Sequence, residues 1–302
     1  MISGVKNTMI SITVTGGKGG TGKSFVATSL AILLSKSIDG LVLADTDLEG
    51  PNDHVILGIE ELENRELITL FLPMIDTTKC TRCRVCVKIC DTGALFVAGR
   101  TYPIVFPKLC SGCKACYYSC PYGAIREAGH VLGYTYVTPV CFSGRCFKLV
   151  TGMLIEGEEH TPPGVYRTLQ RALELKPELL IVDTGAGTGN AVSMGFRDSD
   201  LVIVVTEPTP LGAHDLDSIL EVTDAMDKQV WLVVNRYGIG DISVLETVLH
   251  RHRVEKIFHV PYDKAVVEAY AYSKPLIIHY PGSPASRALI KISDELMGWI
   301  KH

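Results

Sequence analysis

Short, almost fully apolar runs recur along the chain, each closed by Gly, Asp, Asn, Pro or Thr, and segments with a helical apolar period lie between them. The runs Ile10–Thr15, Leu41–Asp45, Leu179–Asp183, Leu201–Thr206, Val230–Asn235 and Ile257–Val260 predict strands, each a short apolar-rich segment closed by a turn residue. Helices are predicted over Lys23–Ser37, Tyr166–Leu175, Ala213–Met226, Ser243–His252, Lys264–Tyr272 and Ser283–Ile300. Strand and helix in alternation predict an α/β fold, a doubly wound and mostly parallel sheet with crossover helices on its faces.

One region breaks the alternation. From about Met74 to Gly129 the chain turns to Cys, Lys, Arg, Tyr and Gly, and "KCTRCRVCVKICDTGAL" repeats as "LCSGCKACYYSCPYGAI" at an offset of 30 residues. This predicts a small inserted α+β domain over residues 74–130, flanked by the two parts, 1–73 and 131–302, of one discontinuous α/β domain. The following stretch "GYTYVTPVCFSGRCFKLVTGMLIEGEEHTPPG" reads as short strands or loops returning to the sheet.

Composition narrows the class. The chain has 302 residues, 47% of them hydrophobic, and a net charge of -4, so it lacks the global basic field that sequence-independent nucleic-acid binding uses. No apolar run approaches the roughly 20 residues of a membrane span. The N-terminus runs into a strand and glycine loop without a cleavage pattern, and eight of the ten cysteines crowd into Cys80–Cys120. That spacing suits metal ligands in a reducing compartment rather than disulfides, so a soluble cytoplasmic protein is expected, with no nucleic-acid or membrane partner.

Gly17, Gly22, Lys23 and Ser24 satisfy G-x-x-x-x-G-K-[ST] between a strand and a helix. Backbone N–H groups of such a loop, here Gly17, Gly19, Gly20, Thr21 and Gly22, wrap phosphates at a helix N-terminus. Lys23 is placed for the terminal phosphates of ATP and Ser24 for Mg²⁺. Lys18 adds a second lysine, "KGGTGKS", and with it the loop resembles those of the deviant-Walker P-loop ATPases of the MinD, ParA and Mrp type. The resemblance implies that Lys18 reaches the nucleotide of the other subunit in an ATP-dependent homodimer, the alternative being a solvated loop lysine. It further implies that "LVLADTDLEGPN" is the first switch, with Asp45 at the metal and Asp47 on the attacking water. In "LLIVDTGAGTG", Asp183 would hold Mg²⁺ through water, with Gly185 and Gly187 beside the γ-phosphate. Asn235 of "WLVVNR" and Pro261 of "HVPYD" would frame the adenine. Any one strand-end Asp or Asn could equally be a cap or turn residue.

Cys80, Cys83, Cys86 and Cys90 form C-x2-C-x2-C-x3-C, and Cys110, Cys113, Cys116 and Cys120 repeat it with Pro121 following. The run resembles that of bacterial two-cluster ferredoxins, in which the fourth cysteine ligates the other cluster. The resemblance implies two [4Fe-4S] clusters, one on Cys80, Cys83, Cys86 and Cys120, the other on Cys110, Cys113, Cys116 and Cys90. Asp91 stands where the first run would carry proline. Tetrahedral zinc is the alternative, although it does not account for triplets with a fourth cysteine, twice over. Cys141 and Cys146 read either as buried free cysteines, the commoner case, or as a C-x4-C pair for a further metal or cluster shared across the dimer. The nine histidines show no ligand spacing, and His214 and His259 read as helix-cap or loop residues. The amphipathic C-terminus is expected to pack on the sheet rather than touch a membrane.

Together these motifs resemble MinD-superfamily ATPases with an inserted ferredoxin domain. The leading expectation is an ATPase whose nucleotide-dependent dimer switching is coupled to electron transfer to a protein redox partner. An ATP-dependent iron-sulfur or metallocofactor assembly protein, loading a receiving protein, is the alternative. A partitioning or positioning ATPase with redox-sensing clusters is the third.

Overall fold

A computed structural model describes residues 9–301; the leaderless N-terminus read from the sequence falls largely on residues 1–8, outside the described residues. The chain opens with β1 (Ile10–Thr15), α1 (Lys23–Leu34), β2 (Leu41–Asp45), the single-turn α2 (Asp53–Ile56), β3 (Glu66–Leu70) and β4 (Pro73–Ile75). The cysteine-rich stretch carries α3 (Val85–Lys88), β5 (Leu95–Phe96), β6 (Ile104–Val105), α4 (Ala115–Tyr118) and β7 (Ile125–Glu127). Then come β8 (His130–Phe142), β9 (Arg145–Leu154), α5 (Thr161–Glu174), β10 (Leu179–Asp183), α6 (Asn190–Phe196), β11 (Leu201–Thr206) and α7 (Pro210–Ala225). β12 (Val230–Tyr237), α8 (Glu246–Leu249), β13 (Lys256–Pro261), α9 (Lys264–Ala271), α10 (Leu276–His279) and α11 (Pro284–Ile300) complete the fold.

The chain divides into two compact units. The first holds the described residues up to Glu66, then Thr135–Met153 and Val165 onward; the second holds Leu67–Tyr134 and Leu154–Gly164. In the first unit the strand order is β13-β12-β11-β1-β10-β2-β9-β8, with every pair from β13 to β9 parallel. Alternate residues of the same strands serve opposite faces, as period-2 geometry requires. Ile203 and Val205 join Val26, Leu30 and Leu34 of α1 and Leu289, Ile292 and Leu296 of α11 in one core. Val202 and Val204 join Leu216, Ile219 and Leu220 of α7 in the other. The C-terminal helix therefore buries its apolar face within the fold, and no helix among the described residues is long and apolar enough to cross a membrane.

β1, β2, β10 and β11 have the bounds that their apolar runs predict. Other elements differ for local reasons. α5 begins at Thr161 because Pro162 and Pro163 fit a first turn, where a missing N–H costs nothing. The predicted Ser243–His252 helix breaks into a 3₁₀ turn over Ile242–Leu245 and the short α8. His214 lies inside α7 and His259 inside β13, rather than at caps or in loops. The Thr- and Val-rich stretch after the repeat forms the long β8 and β9 instead of short strands or loops. Their two-residue turn places Ser143 and Gly144 at φ of 50° and 78°, the backbone that a right-twisted hairpin favours. Across that turn Cys141 and Cys146 form a disulfide. They are exposed, so neither reading of them stands: they are not buried free thiols, and their bonded sulfurs are not metal ligands.

In the second unit β4 pairs antiparallel with β7, and β5 with β6. Among its described residues a small core gathers Phe71, Leu95 and Ile125 with Cys86 and Cys116, and Ile75, Val87 and Val105 pack against it partly buried. Leu95 and Ile125 are the aliphatic residues that end the two repeats. α3 and α4 each start after a left-handed residue, Arg84 and Lys114, so the repeats share backbone as well as spacing.

His252, just beyond α8, ties that segment to α7. Its Nδ1 lies 2.6 Å from Asp224 Oδ2 and its Nε2 2.8 Å from Asp217 Oδ1. Burial opposes charge on the ring, but the hydrogen bonds to two carboxylates outweigh it and raise the pKa. A group raised on folding contributes stability below its ordinary value, and that contribution disappears as pH climbs through the raised value. His252→Gln should therefore lower stability by about 1 kcal/mol near pH 6, with the gap closing by about pH 9 in denaturant melts. A gap that widens with pH would contradict this assignment.

Candidate functional site

The end of β1 turns through a glycine loop into α1, and the loop is built so tightly that side chains are excluded. A Cβ on Gly17 would lie 2.2 Å from the Asp215 carbonyl oxygen, and one on Gly22, at φ of 96°, would lie 2.2 Å from Asn235 Nδ2. The Lys23 side chain folds back over its own loop, where Nζ donates to the Lys18 carbonyl at 3.3 Å. Two residues at the end of β12 brace the loop from the other side. Asn235 Nδ2 donates to the Thr21 carbonyl at 2.7 Å, and Arg236 donates to the Gly20 carbonyl and to Glu207, both at 3.0 Å. The asparagine amide is thus committed to the loop backbone as well as placed at the cavity wall.

Below the loop, β2 and β10 run parallel with Asp45 opposite Asp183. These two carboxylates and that of Asp53, the first residue of α2, lie within 4.8 Å of one another and are fully buried. Asp45 accepts the backbone N–H groups of Asp47, Asn52 and Asp53, each at 3.1 Å, so it folds the segment after β2 around itself. Ser24 Oγ donates to Asp183 at 2.5 Å. Burial raises Asp183 to about 7 against the opposing pull of Ser24 and Lys23. Burial, then repulsion from neighbouring carboxylates, drives Asp45 and Asp53 well above the usual range. An all-oxygen set of this kind suits a hard divalent cation such as Mg²⁺, whose charge would offset the repulsion.

A cavity of about 450 Å³ opens beside the loop, within the usual range for a small-molecule site. Gly19, Gly20, Gly22, Lys23, Ser24 and Asp47 are in its lining, together with Asn235, Arg236 and Pro261. Phe25, Ile56, Val266, Val267 and Tyr270 supply its apolar lining. Asp47 is partly buried there, its carboxyl raised by burial and held down by Lys23. Asp45 and Asp183 do not line the cavity, and Asp183 meets it through Ser24. Gly17 and Thr21 lie within the loop, and Lys18 lies partly exposed outside the cavity. The sequence reading missed Asp53 and Arg236. A buried Asp that starts a helix looks like an N-cap in sequence, and an Arg following the strand-end Asn has no motif of its own.

The eight cysteines outside the hairpin are free thiols, and they divide between two small cavities of the second unit. Cys80, Cys83, Cys86 and Cys120 line one; Cys90, Cys110, Cys113 and Cys116 line the other. Each cavity takes three cysteines from one repeat and the fourth from the other. Burial raises the thiols of Cys86 and Cys110 and pushes Cys116 up to about 11. Among the described residues, two groups bring three ligand atoms within 4.8 Å of one another, and neither contains a cysteine. One zinc ion holds its sulfurs about 3.8 Å apart, given Zn–S bonds of about 2.3 Å in a tetrahedron. In neither quartet do three sulfurs come that close together.

Comparison with known proteins agrees with the first unit. An uncharacterized protein of Methanocaldococcus jannaschii is 33% identical over 292 residues, covering 97% of this chain and 98% of the relative. An uncharacterized ATP-binding protein of the same organism is 25% identical over 297 residues, covering 96% of this chain and 88% of the relative. The septum site-determining protein MinD of Pyrococcus horikoshii OT3, solved in complex with Mg-ADP, shares the fold with a TM-score of 0.61 at 17% identity, covering 98% of this chain and 99% of that one. The CobQ/CobB/MinD/ParA nucleotide binding domain matches residues 12–276. The chain belongs to the CobQ/CobB/MinD/ParA family of nucleotide-binding proteins.

Proposed function

We propose that this nucleotide-binding protein of the ParA/MinD family is a Mg²⁺-dependent ATPase that closes as a homodimer on ATP and couples that closure to electron transfer by two [4Fe-4S] clusters. The observation that carries the reading is the partition of eight free cysteines into two quartets that each cross the repeat, in a chain whose other unit carries a complete phosphate-loop motif. Residues 1–73 and 131–302 serve the nucleotide in this proposal, and residues 74–130 serve the clusters.

Each part has a physical task. The loop N–H groups bind phosphate oxygens, and Lys23 exchanges the Lys18 carbonyl for the terminal phosphates. Ser24, with Asp45 and Asp183, holds Mg²⁺, and Asp47 orients the attacking water. Phe25, Ile56 and Tyr270 give the base an apolar seat, with Asn235 and Pro261 beside it. Lys18, outside its own cavity, serves the nucleotide of the second copy, which makes turnover depend on dimer geometry as a trans-acting arginine does. Cys80, Cys83, Cys86 and Cys120 would hold one cluster, and Cys90, Cys110, Cys113 and Cys116 the other. Bound there, the clusters supply one-electron transfer to a protein partner. Coupling requires that nucleotide bind the two redox states with unequal affinity. The cofactor-assembly reading calls for a labile ligand site, and the disulfide between Cys141 and Cys146 leaves it without the pair it would use.

Lys18→Ala should lower ATP turnover at least about a hundredfold and remove ATP-dependent dimerisation, measured by phosphate release and light scattering, with iron content unchanged. Turnover equal to that of the wild type would overturn the dimer mechanism. Anaerobically purified protein should contain about eight iron and eight sulfide per chain. Zinc in their place would overturn the cluster assignment.

A further inference from the structure

Two histidines that the sequence leaves 30 residues apart meet in the second unit. His130 opens β8, and His160 precedes α5 in the segment 154–164, which returns to β8 through the hydrogen bond from Ile155 N–H to the Leu132 carbonyl at 2.9 Å. Between the two rings stands Glu158. His130 Nε2 lies 2.7 Å from Glu158 Oε2, and His160 Nδ1 meets Glu158 Oε1. The ring nitrogens and the carboxylate oxygen lie within 4.8 Å of one another.

We infer that His130, Glu158 and His160 form a binding site for a divalent transition-metal ion such as Zn²⁺, separate from the cysteine quartets and from the nucleotide. The donor set is two imidazoles and one carboxylate, which selects borderline ions over Mg²⁺ and Ca²⁺. The carboxylate is oriented before any ion arrives. The backbone N–H groups of Glu159 and His160 hold Glu158 Oε1 at 2.8 and 2.9 Å, the kind of outer support that fixes a metal ligand. Glu158 and His160 are largely covered, with side-chain exposures of 8% and 14%, whereas His130 is exposed by 32%. That leaves the open side of the site toward solvent. Metal bonds of about 2.1 Å put ligand atoms about 3.4 Å apart in a tetrahedron, so the ion enters with ring and carboxylate shifts of under about 1 Å. The ion takes the place of the ring N–H groups that otherwise point at the carboxylate, and water fills its remaining position. Seated there, it clasps segment 154–164 to the start of β8, in a unit whose apolar core is small.

The test uses the full-length, anaerobically purified protein, cleared of loose metal with a mild chelator and titrated with Zn²⁺ against a chromophoric competitor. Wild type should take up one zinc per chain at this site, with H130Q, H160Q and E158Q each weakening it at least about tenfold. Zinc-edge X-ray absorption on the wild type should show imidazole nitrogen and carboxylate oxygen without sulfur, a readout independent of how the variants fold. Sulfur in the zinc shell would overturn the inference. Equal affinity in the three variants, or no zinc uptake by wild type, would overturn it too.

Discussion

Three carboxylates buried together are the constraint around which the first unit is arranged. Asp45 and Asp183 face each other because β2 and β10 are parallel and in register, and Asp53 is drawn in by the turn that Asp45 itself organises. Like charges that close in a low-dielectric interior do not all ionise without help. Lys23 and Ser24, carried on the first turn of α1, supply part of that help, and a cation would supply the rest. The glycine loop, the three carboxylates and the segment after β2 are therefore one electrostatic unit. A change in what fills the cavity moves charge at the ends of the central strands.

The cysteine unit is under a related constraint with thiols in place of carboxylates. A small core leaves Cys86, Cys110 and Cys116 buried and unwilling to ionise on their own. A metal centre reverses that preference by binding the thiolate, and the same bonds would staple the repeats together. Both units thus present buried acidic groups that a positive centre would stabilise, which gives a physical basis for reading them as cofactor sites.

Much of this was legible in the sequence. Parallel strands buried on both faces appear as apolar runs in β2, β10 and β11, and in β1 as small hydroxyl residues alternating with aliphatic ones before the glycine loop, so all four could be delimited from sequence alone. Motif spacing pointed to Lys23 and Ser24, the family resemblance added Asp47, and the three line one cavity. The rest depends on tertiary pairing. α2 and α6 are too short to show a period, and β8 and β9 owe their length to pairing across a turn whose Ser143-Gly144 dipeptide marks a turn but not how far the strands extend on either side. The Cys141–Cys146 bond follows from that same hairpin. Asp53 and the meeting of His130 with His160 likewise come from where the chain returns, which spacing along the sequence does not encode.

The central claim is that nucleotide and clusters communicate, and a redox titration tests it most directly. The cluster potentials would be measured spectroscopically without nucleotide, with MgADP and with a non-hydrolysable MgATP analogue. The account predicts a shift between nucleotide states of the order of 59 mV, which for one electron is a tenfold difference in relative affinity. Identical potentials in all three conditions would contradict it.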